Sequence, residues 1–313
     1  MASSRKLVIY AALIGNSLIA VMKFIAAFVT GSSAMFSEGI HSVVDTGNQV
    51  LLLYGLKQSK KPADDRFPFG HGKEIYFWSF VVAIMIFAVG AGISIYEGIH
   101  RLTEPAPLEN ILVNYIVLGL AIVFEGGAWF FAYKEFKQAK GKIGFIEAVK
   151  RGKDPSLFVV LFEDSAAMLG LLVALLATAL TQLTGNLYLD GVASIVIGLI
   201  LAGTAMWLAL ETKGLLIGES ADNAVVDGIK RLANGIGAVD HVNEVLTMHM
   251  GPDFILVNIS VEFIDVATAN NIEDAVAALD EAIKAEYSNV QRVFVEGEAK
   301  HSIFKKGAGG INF

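Results

Sequence analysis

The chain contains no cysteine among its 313 residues, and only 18% of them are charged. Without cysteine it can form neither a disulfide nor a thiolate metal site, and it has no cysteine nucleophile. Any metal site must therefore use His, Asp, Glu or Asn. Charge is scarce because 54% of the residues are hydrophobic, and a mean hydropathy of +0.57 is too apolar for an ordinary soluble domain of this size. We expect a membrane protein.

Positive charge is also in short supply. The 24 Lys and Arg residues are outnumbered by 31 Asp and Glu, which gives a net charge of −7. Outside the loops that flank apolar segments, the basic residues form no dense run of the kind that nucleic acids require. The sequence therefore predicts a lipid bilayer as its surroundings and no nucleic acid as a partner.

Six apolar segments are each long enough to cross a bilayer, which takes about 20 residues. After Leu210 such segments stop. We therefore predict an all-α transmembrane domain with six helices over residues 1–210. The segments are roughly residues 7–30, 34–56, 75–99, 111–133, 156–181 and 187–210.

Basic residues are concentrated before the first segment and in alternate loops, whereas the other loops contain only Arg101. Because loops rich in Lys and Arg stay in the cytoplasm, both termini are predicted to face it, with the chain in the inner (plasma) membrane of the cell. The basic residues are Arg5 and Lys6, then Lys57, Lys60, Lys61, Arg66 and Lys73, then Lys134, Lys137, Lys140, Lys142, Lys150, Arg151 and Lys153.

Residues 211–313 have a different pattern. Apolar residues recur at helical spacing over residues 220–236 and 271–287, and they alternate strictly from Ile255 to Phe263, as in a strand with one buried face. A preceding apolar run predicts the other strand of a hairpin, and residues 290–298 supply a third strand. The order α-β-β-α-β predicts a small cytoplasmic α+β domain.

The second apolar segment carries a polar stripe in FSEGIHSVVDTGNQVLLLYG, residues 36–55. Glu38, His41, Asp45 and Asn48 are spaced by three, four and three positions, so all project from one side of a helix. Ionisable groups inside a bilayer are costly, by about 2.5–3.5 kcal/mol for a central Asp, and they mark substrate paths or relays. A His and a carboxylate at this spacing also suit a divalent ion such as Zn²⁺.

The remaining ligands must come from another helix, and the fifth segment offers adjacent Glu163 and Asp164. Only one of the two can point directly at the bundle interior. An alternative is that one of these carboxylates neutralises Lys23 or caps the helix start, although Lys23 could equally extend to the membrane surface. Glu97 and Glu125 lie near segment ends, where we expect solvation at headgroup level.

These features together resemble the cation diffusion facilitator family. The resemblance lies in HSVVD in the second segment, an Asp in the fifth, FGHGKEIYFWS entering the third, LDGVASIVIGLIL in the sixth and an α+β tail. It implies a homodimeric antiporter, and not an enzyme, that exports a divalent metal, most simply Zn²⁺, in exchange for protons. It also implies that His41, Asp45 and Asp164 are metal ligands.

The fifth segment departs from the family pattern. The family places His or Asp four residues before the aspartate, where this chain has Val160. We expect Glu163 to complete the site, and the Glu-Asp pair resembles the branch that includes a mitochondrial zinc carrier. Asn48 or a water is the fallback, and Glu38 is a further candidate on the stripe.

Two other family metal sites are incomplete in this chain. The loop before the third segment keeps Asp64 and His71 but has Phe67 at the other position, so a site there is expected to be weak or absent. In the tail, a usual His is replaced by Asn258, and the last strand offers only Glu296 and Glu298. We expect the remaining tail histidines to be ordinary surface residues and the tail to be a dimerisation module; they are His241, His249 and His301.

The chemistry predicts how transport could be coupled. Imidazole must be neutral to bind metal, and its ordinary pKa of about 6.5 lets His41 exchange a proton for an ion near physiological pH. His plus carboxylates favours Zn²⁺ over Mn²⁺, although Fe²⁺, Co²⁺, Ni²⁺ and Cd²⁺ tolerate similar ligands. A metal-sensing or scaffold protein that moves no ion remains an alternative. An intramembrane metalloenzyme is disfavoured because no His-Glu-x-x-His motif is present.

Overall fold

The computed structural model describes residues 2–140 and 155–299, with residues 144 and 148 between them. Side chains are described outside residues 2–15, 139–140 and 156–157. The predictions made for Arg5 and Lys6, for the basic residues from Lys140 to Lys153 and for His301 therefore lie outside the described side chains.

The first two-thirds of the chain folds into long helices. Gly31, at φ 66°, turns the chain between the first two of them, in a conformation that glycine adopts without strain. The third helix contains a π-helical stretch at Ile86–Ala91. The helices are α1 (Ala2–Thr30), α2 (Ser33–Ser59), α3 (Glu74–Thr103), α4 (Ile111–Lys140), α5 (Pro155–Thr184) and α6 (Tyr188–Ile217).

Four of these helices, α3 to α6, are long and apolar enough to cross a membrane. In α1 the described apolar stretch is the shorter Asn16–Thr30, and α2 carries the polar stripe that lowers its hydropathy. The chain is therefore a multi-pass membrane protein, while the predicted count of six spans is not confirmed by length and composition alone.

Helix α2 is polar on the inside and apolar on the outside. Glu38, His41 and Asn48 are buried, whereas Val43 and Val50 are about half exposed. A soluble helix has the opposite arrangement. This pattern is typical of a helix surrounded partly by lipid, in which polar side chains avoid the hydrocarbon.

The chain divides into two compact units. The first comprises Met1–Lys60 and Glu74–Lys213, and the second comprises Lys61–Lys73 and Gly214–Phe313. The connection between α2 and α3 thus packs with the tail. Within the second unit, the Lys73 ammonium donates hydrogen bonds to the Leu216 carbonyl at 3.5 Å and to the Met248 sulfur at 3.7 Å. Burial of this ammonium lowers the pKa of Lys73.

The tail has the predicted α-β-β-α-β order. Strands β1 and β2 form the predicted antiparallel hairpin, and β3 pairs with β2 in parallel. Ile255, Val257, Ile259 and Val261 are buried against both helices, which confirms the alternation seen in the sequence. The elements are α7 (Asn223–Asn234), β1 (Val239–Gly251), β2 (Phe254–Phe263), α8 (Ala269–Glu286) and β3 (Val290–Gly297).

The prediction that His249 is a surface residue is wrong. His249 is only 3% exposed, and its backbone N–H donates to the Glu219 carbonyl at 3.0 Å. It lies four residues after Val245 on the same strand, so the period of two places both side chains on the covered face. His241, by contrast, is partly exposed, opposite Glu262.

A candidate intramembrane metal centre

Helix α2 presents the predicted polar stripe to the interior of the helical unit. The helix begins cleanly because the Ser32 hydroxyl accepts a hydrogen bond from the Met35 N–H at 3.1 Å. From there it continues without a break to Ser59, which keeps the stripe residues in register. Glu38, His41 and Asn48 are each at most 1% exposed.

His41 and Asp45 form a close pair, as their i, i+4 spacing predicts. His41 Nδ1 lies 3.1 Å from Asp45 Oδ1. Apart from this contact between the two side chains, both ring nitrogens of His41 and this oxygen of Asp45 lack a hydrogen-bond partner among the described residues. Buried polar atoms without partners are uncommon in proteins. In a neutral imidazole one ring nitrogen carries a free lone pair, and this nitrogen and the Asp45 oxygen could bind an ion together.

Asn48 and Glu163 join α2 to α5. The Asn48 side-chain amide donates to Glu163 Oε1 at 2.6 Å, and Glu163 is only 3% exposed. Asp164 is partly buried beside it. Asp45 interacts electrostatically with both acidic residues of α5. The structure therefore places the polar stripe of α2 close enough to the acidic pair of α5 for their charges to interact.

The four predicted ligands do not converge on one point in this conformation. Within residues 2–140 and 155–299, no group of three or more His, Asp or Glu side chains is placed to hold an ion. Instead His41 pairs with Asp45, while Glu163 is hydrogen-bonded to Asn48, which is only a secondary candidate. The assignment of His41, Asp45, Glu163 and Asp164 to a single site stays a prediction.

Lys23 is paired with residues other than those considered in the sequence. Its ammonium is fully buried and lies 3.1 Å from Glu38 Oε2 and 2.8 Å from Glu125 Oε1. It also donates to the Ser42 hydroxyl at 2.8 Å. The suggestion that Glu163 or Asp164 neutralises Lys23 is therefore wrong, and so is extension of Lys23 to the membrane surface.

The headgroup location expected for Glu125 is also wrong. Its side chain is 12% exposed and reaches inward to Lys23. The misleading signal was distance from the helix end. A better signal is charge balance, because a buried ammonium needs carboxylate partners and α4 supplies the nearest one. Glu38, the secondary metal candidate, is used by the same cluster through one oxygen.

Lys23→Met is expected to destabilise the protein by about 3–5 kcal/mol, because it leaves two carboxylates buried without their cation. The measurement is a thermal melt in detergent. Adding Glu38→Gln and Glu125→Gln to this variant should recover part of the loss, since removing a whole buried cluster is tolerated better than removing one member. The matched control is Lys57→Met on the exposed side of α2, which should melt with the native protein. An unchanged melt of Lys23→Met would contradict the role of the cluster.

The loop between α2 and α3 brings together Asp64 and His71, the two residues of a site that the sequence predicted to be weak or absent. His71 Nε2 lies 3.0 Å from Asp64 Oδ2, and Asp64 Oδ1 accepts the Arg66 and Phe67 N–H groups at 2.9 and 2.7 Å. The His71 hydrogen bond and then these backbone bonds lower the pKa of Asp64. Phe67 packs its ring on His71, with centroids 4.5 Å apart. The pair shapes a turn, and no third His, Asp or Glu of the described residues joins it to form a metal-binding group.

The fold and the buried polar groups together define a class of protein. A multi-pass helical protein that keeps imidazole and carboxylate groups inside its bundle, with apolar side chains outside, is suited to carry cations through a membrane. The cation efflux transmembrane domain matches residues 9–217. The chain belongs to the cation efflux family.

Named relatives support the same family. The chain is 36% identical over 259 residues to the mitochondrial proton-coupled zinc antiporter SLC30A9 of Xenopus laevis, covering 82% of this chain and 46% of that protein. It is 30% identical to metal tolerance protein C4 of Arabidopsis thaliana, covering 79% of this chain and 55% of that protein. The chain thus spans about half the length of these relatives. They are transporters by family and not enzymes.

Several solved structures are similar to part of the chain, and one of them serves as an example. It is a nickel form of a variant of the MamM C-terminal domain, 19% identical, covering 25% of this chain and 98% of that chain with a TM-score of 0.24.

Proposed function

We propose that this protein exports a divalent metal cation, with Zn²⁺ as its substrate, in exchange for protons. The ligands in this proposal are His41, Asp45, Glu163 and Asp164. Asn48 and Glu38 are secondary candidates for the same site. The observation that carries it is the buried His41, whose Nδ1 lies 3.1 Å from Asp45 Oδ1 and whose Nε2 has no hydrogen-bond partner among the described residues. Imidazole and carboxylate oxygens are ligands that Zn²⁺ accepts.

Proton exchange follows from the same ligands. A metal-bound imidazole must be neutral and a metal-bound carboxylate must be ionised, so metal entry displaces protons from the site and metal release allows them back. The name of the Xenopus laevis relative records proton-coupled zinc antiport for that protein. For this chain we propose inward protons as the driving force for outward metal, with the site open to each side in turn.

The proposed topology places α1 to α6 across the membrane with both termini on the cytoplasmic side. In this proposal residues 1–210 form the membrane domain and residues 211–313 a cytoplasmic dimerisation domain. Leu246 and Phe294, each about half exposed, lie in one row with Asn258 across the sheet and offer an apolar surface to a second copy. The inner (plasma) membrane is part of the proposal, whereas the animal relative is named as mitochondrial.

The direct test is metal flux into proteoliposomes that contain the purified protein. A pH gradient that is acidic inside the liposomes should accelerate Zn²⁺ uptake, because protons then leave as Zn²⁺ enters. An ionophore that collapses the gradient should remove the acceleration. Protein-free liposomes are the control. A Zn²⁺ flux that does not depend on the pH gradient would rule out proton antiport. The absence of any metal flux would rule out a transport function.

His41→Asp is expected to change metal preference, because it replaces the nitrogen ligand by oxygen. Oxygen-only sites favour Mn²⁺ relative to Zn²⁺, so the Mn²⁺ to Zn²⁺ flux ratio should rise by about tenfold or more. The matched control is His100→Asp at the exposed end of α3, where the ratio should stay at the native value. An unchanged ratio in His41→Asp would show that His41 does not touch the ion.

A metal-sensing membrane protein without transport is the second candidate. The departure at Val160 and the lack of a converged ligand group among the described residues favour it. It predicts saturable Zn²⁺ binding by titration calorimetry together with no flux in the same proteoliposomes. Binding and flux that share one half-saturation concentration would instead support the carrier.

A further inference from the structure

Three oxygen atoms inside the helical unit surround the ammonium of Lys23, whose side chain on α1 is fully buried. Its Nζ donates to Glu38 Oε2 at 3.1 Å, to Ser42 Oγ at 2.8 Å and to Glu125 Oε1 at 2.8 Å. We call these three acceptors the oxygen cage. A protonated lysine carries three N–H donors and no acceptor, so each donor has one oxygen. The cage therefore matches the donors of a primary ammonium as well as its charge.

The distances in the oxygen cage suit an ammonium and not a divalent metal ion. Hydrogen bonds from a charged nitrogen to a carboxylate are about 2.7–2.9 Å long, close to the 2.8–3.1 Å found here. Oxygen ligands lie about 2.0–2.2 Å from Zn²⁺ and about 2.3–2.6 Å from Ca²⁺. To hold either ion, oxygens on two different helices, α2 and α4, would have to move inward.

The fold holds one carboxylate of the cage in place. The second oxygen of Glu38, Oε1, is buried and has no hydrogen-bond partner among the described residues. It lies beside Gly170 of α5, where an added Cβ would collide with it. An ionised carboxylate inside a membrane protein is costly unless a cation compensates it. Because Oε1 has no donor, the compensation comes through Oε2 from the ammonium of Lys23.

We propose that the oxygen cage is a binding site for a primary ammonium group. The native chain fills this site with the side chain of Lys23, so it needs no cation from solution. When that side chain is shortened, a small primary alkylammonium ion from solution takes its place, because two buried carboxylates without a cation are costly. The site differs from the four proposed metal ligands, and its existence does not depend on transport.

The position of the cage gives the ammonium a role in metal selection, and this step alone rests on the function proposed above. Glu38 precedes His41 by three residues and is therefore its neighbour on α2. Glu38 and Glu125 both interact electrostatically with His41. While Lys23 engages these two carboxylates, they are withheld from a metal ion at His41. Lys23 thereby determines which buried acidic residues remain for the metal.

Lys23→Ala with added n-propylammonium tests the site. The substitution removes the ammonium and most of its carbon chain, and n-propylammonium supplies both. In detergent, the melting temperature of the variant should lie below the native value. The added ion should restore at least about half of the difference and should saturate with concentration, as a ligand of the folded state does. The native protein should not respond. A melt is the readout because neutral propylamine crosses bilayers and would disturb a pH gradient.

Matched controls separate binding in the cage from general effects of salt. Lys23→Met keeps an uncharged chain in the same space, so n-propylammonium should restore nothing. Tetramethylammonium carries the charge without N–H donors and should leave Lys23→Ala unchanged. Adding Glu125→Gln to Lys23→Ala removes a charged acceptor, so the half-saturating concentration of n-propylammonium should rise by about tenfold or more.

Several outcomes would overturn the ammonium site. Equal recovery with tetramethylammonium, or equal recovery of Lys23→Met, would show an effect of charge or salt alone. A Lys23→Ala variant that stays unfolded in n-propylammonium, or that melts with the native protein in its absence, would also contradict the site.

Lys23→Arg is a second variant that keeps the positive charge and needs no added ligand. A planar guanidinium presents its donors as a rigid fork and cannot match three converging oxygens. Its melting temperature should therefore fall below the native value, and a native melt would refute the fit to a primary ammonium. The absence of Zn²⁺ flux through the native protein would instead refute the transport function, and the melting experiments would still decide the ammonium site.

Discussion

Asp45→Ala is expected to abolish Zn²⁺ flux while leaving the protein folded. Asp45 is the carboxylate nearest to His41, with 3.1 Å between Oδ1 and Nδ1, and it interacts electrostatically with both acidic residues of α5. Its removal takes away a ligand and also relieves the cost of a carboxylate inside the membrane. Flux in proteoliposomes and a thermal melt of the same preparation measure the two effects separately.

Thr46→Ala is the matched control for this prediction. Thr46 is the next residue on the helix, and its hydroxyl only donates to the Ser42 carbonyl at 2.8 Å. Its truncation removes a polar group of similar size without touching the proposed site, so native flux is expected. Native flux in Asp45→Ala would exclude Asp45 from the ion path. Loss of flux together with a much lower melting temperature would show that Asp45 is needed for folding.

The α2 stripe could be predicted from sequence because helical geometry is local. Spacings of three and four residues determine which side chains share a face, and the cost of placing Glu38, His41 and Asp45 in an apolar segment indicates that this face is covered. The structure buries the stripe as expected. The strand alternation in β2 was equally informative, because a period of two depends only on the backbone.

The partners of buried charges could not be predicted, because they depend on which helices become neighbours. Lys23 and Glu125 are 102 positions apart in sequence but 2.8 Å apart in the fold. Nothing in the local pattern favoured Glu125 over Glu163 as the partner of Lys23. The same reasoning applies to Asp190, whose sequence context gave no indication that it caps α2. Tertiary packing decides such pairings.

Glu163→Gln is expected to weaken Zn²⁺ binding by at least about tenfold, or roughly 1.4 kcal/mol. The change removes one negative charge from the proposed site but keeps a carbonyl oxygen that can still accept the Asn48 amide, whose present bond is 2.6 Å long. The contact between α2 and α5 should therefore survive, and the thermal melt should stay close to native. Titration calorimetry with Zn²⁺ measures the affinity.

A compensating change tests whether Glu163 replaces a missing ligand. Val160 precedes Asp164 by one helical turn, so Val160→His places an imidazole on the same side of α5 as Asp164. In the Glu163→Gln background this second change should recover part of the lost affinity. Val160→Ala is the matched control and should recover none. Recovery by both variants would point to relief of crowding and not to a new ligand.

The competing explanation is that Glu163 serves helix packing alone, and it predicts a different pattern. Glu163→Gln would then leave Zn²⁺ affinity at the native value, and Asn48→Ala, which removes the donor from the same hydrogen bond, would lower the melting temperature without weakening binding. Lys23 does not enter this choice, because Glu38 and Glu125 already neutralise it. Affinity that falls in Glu163→Gln at an unchanged melting temperature assigns Glu163 to the ion, because packing and binding are then measured apart.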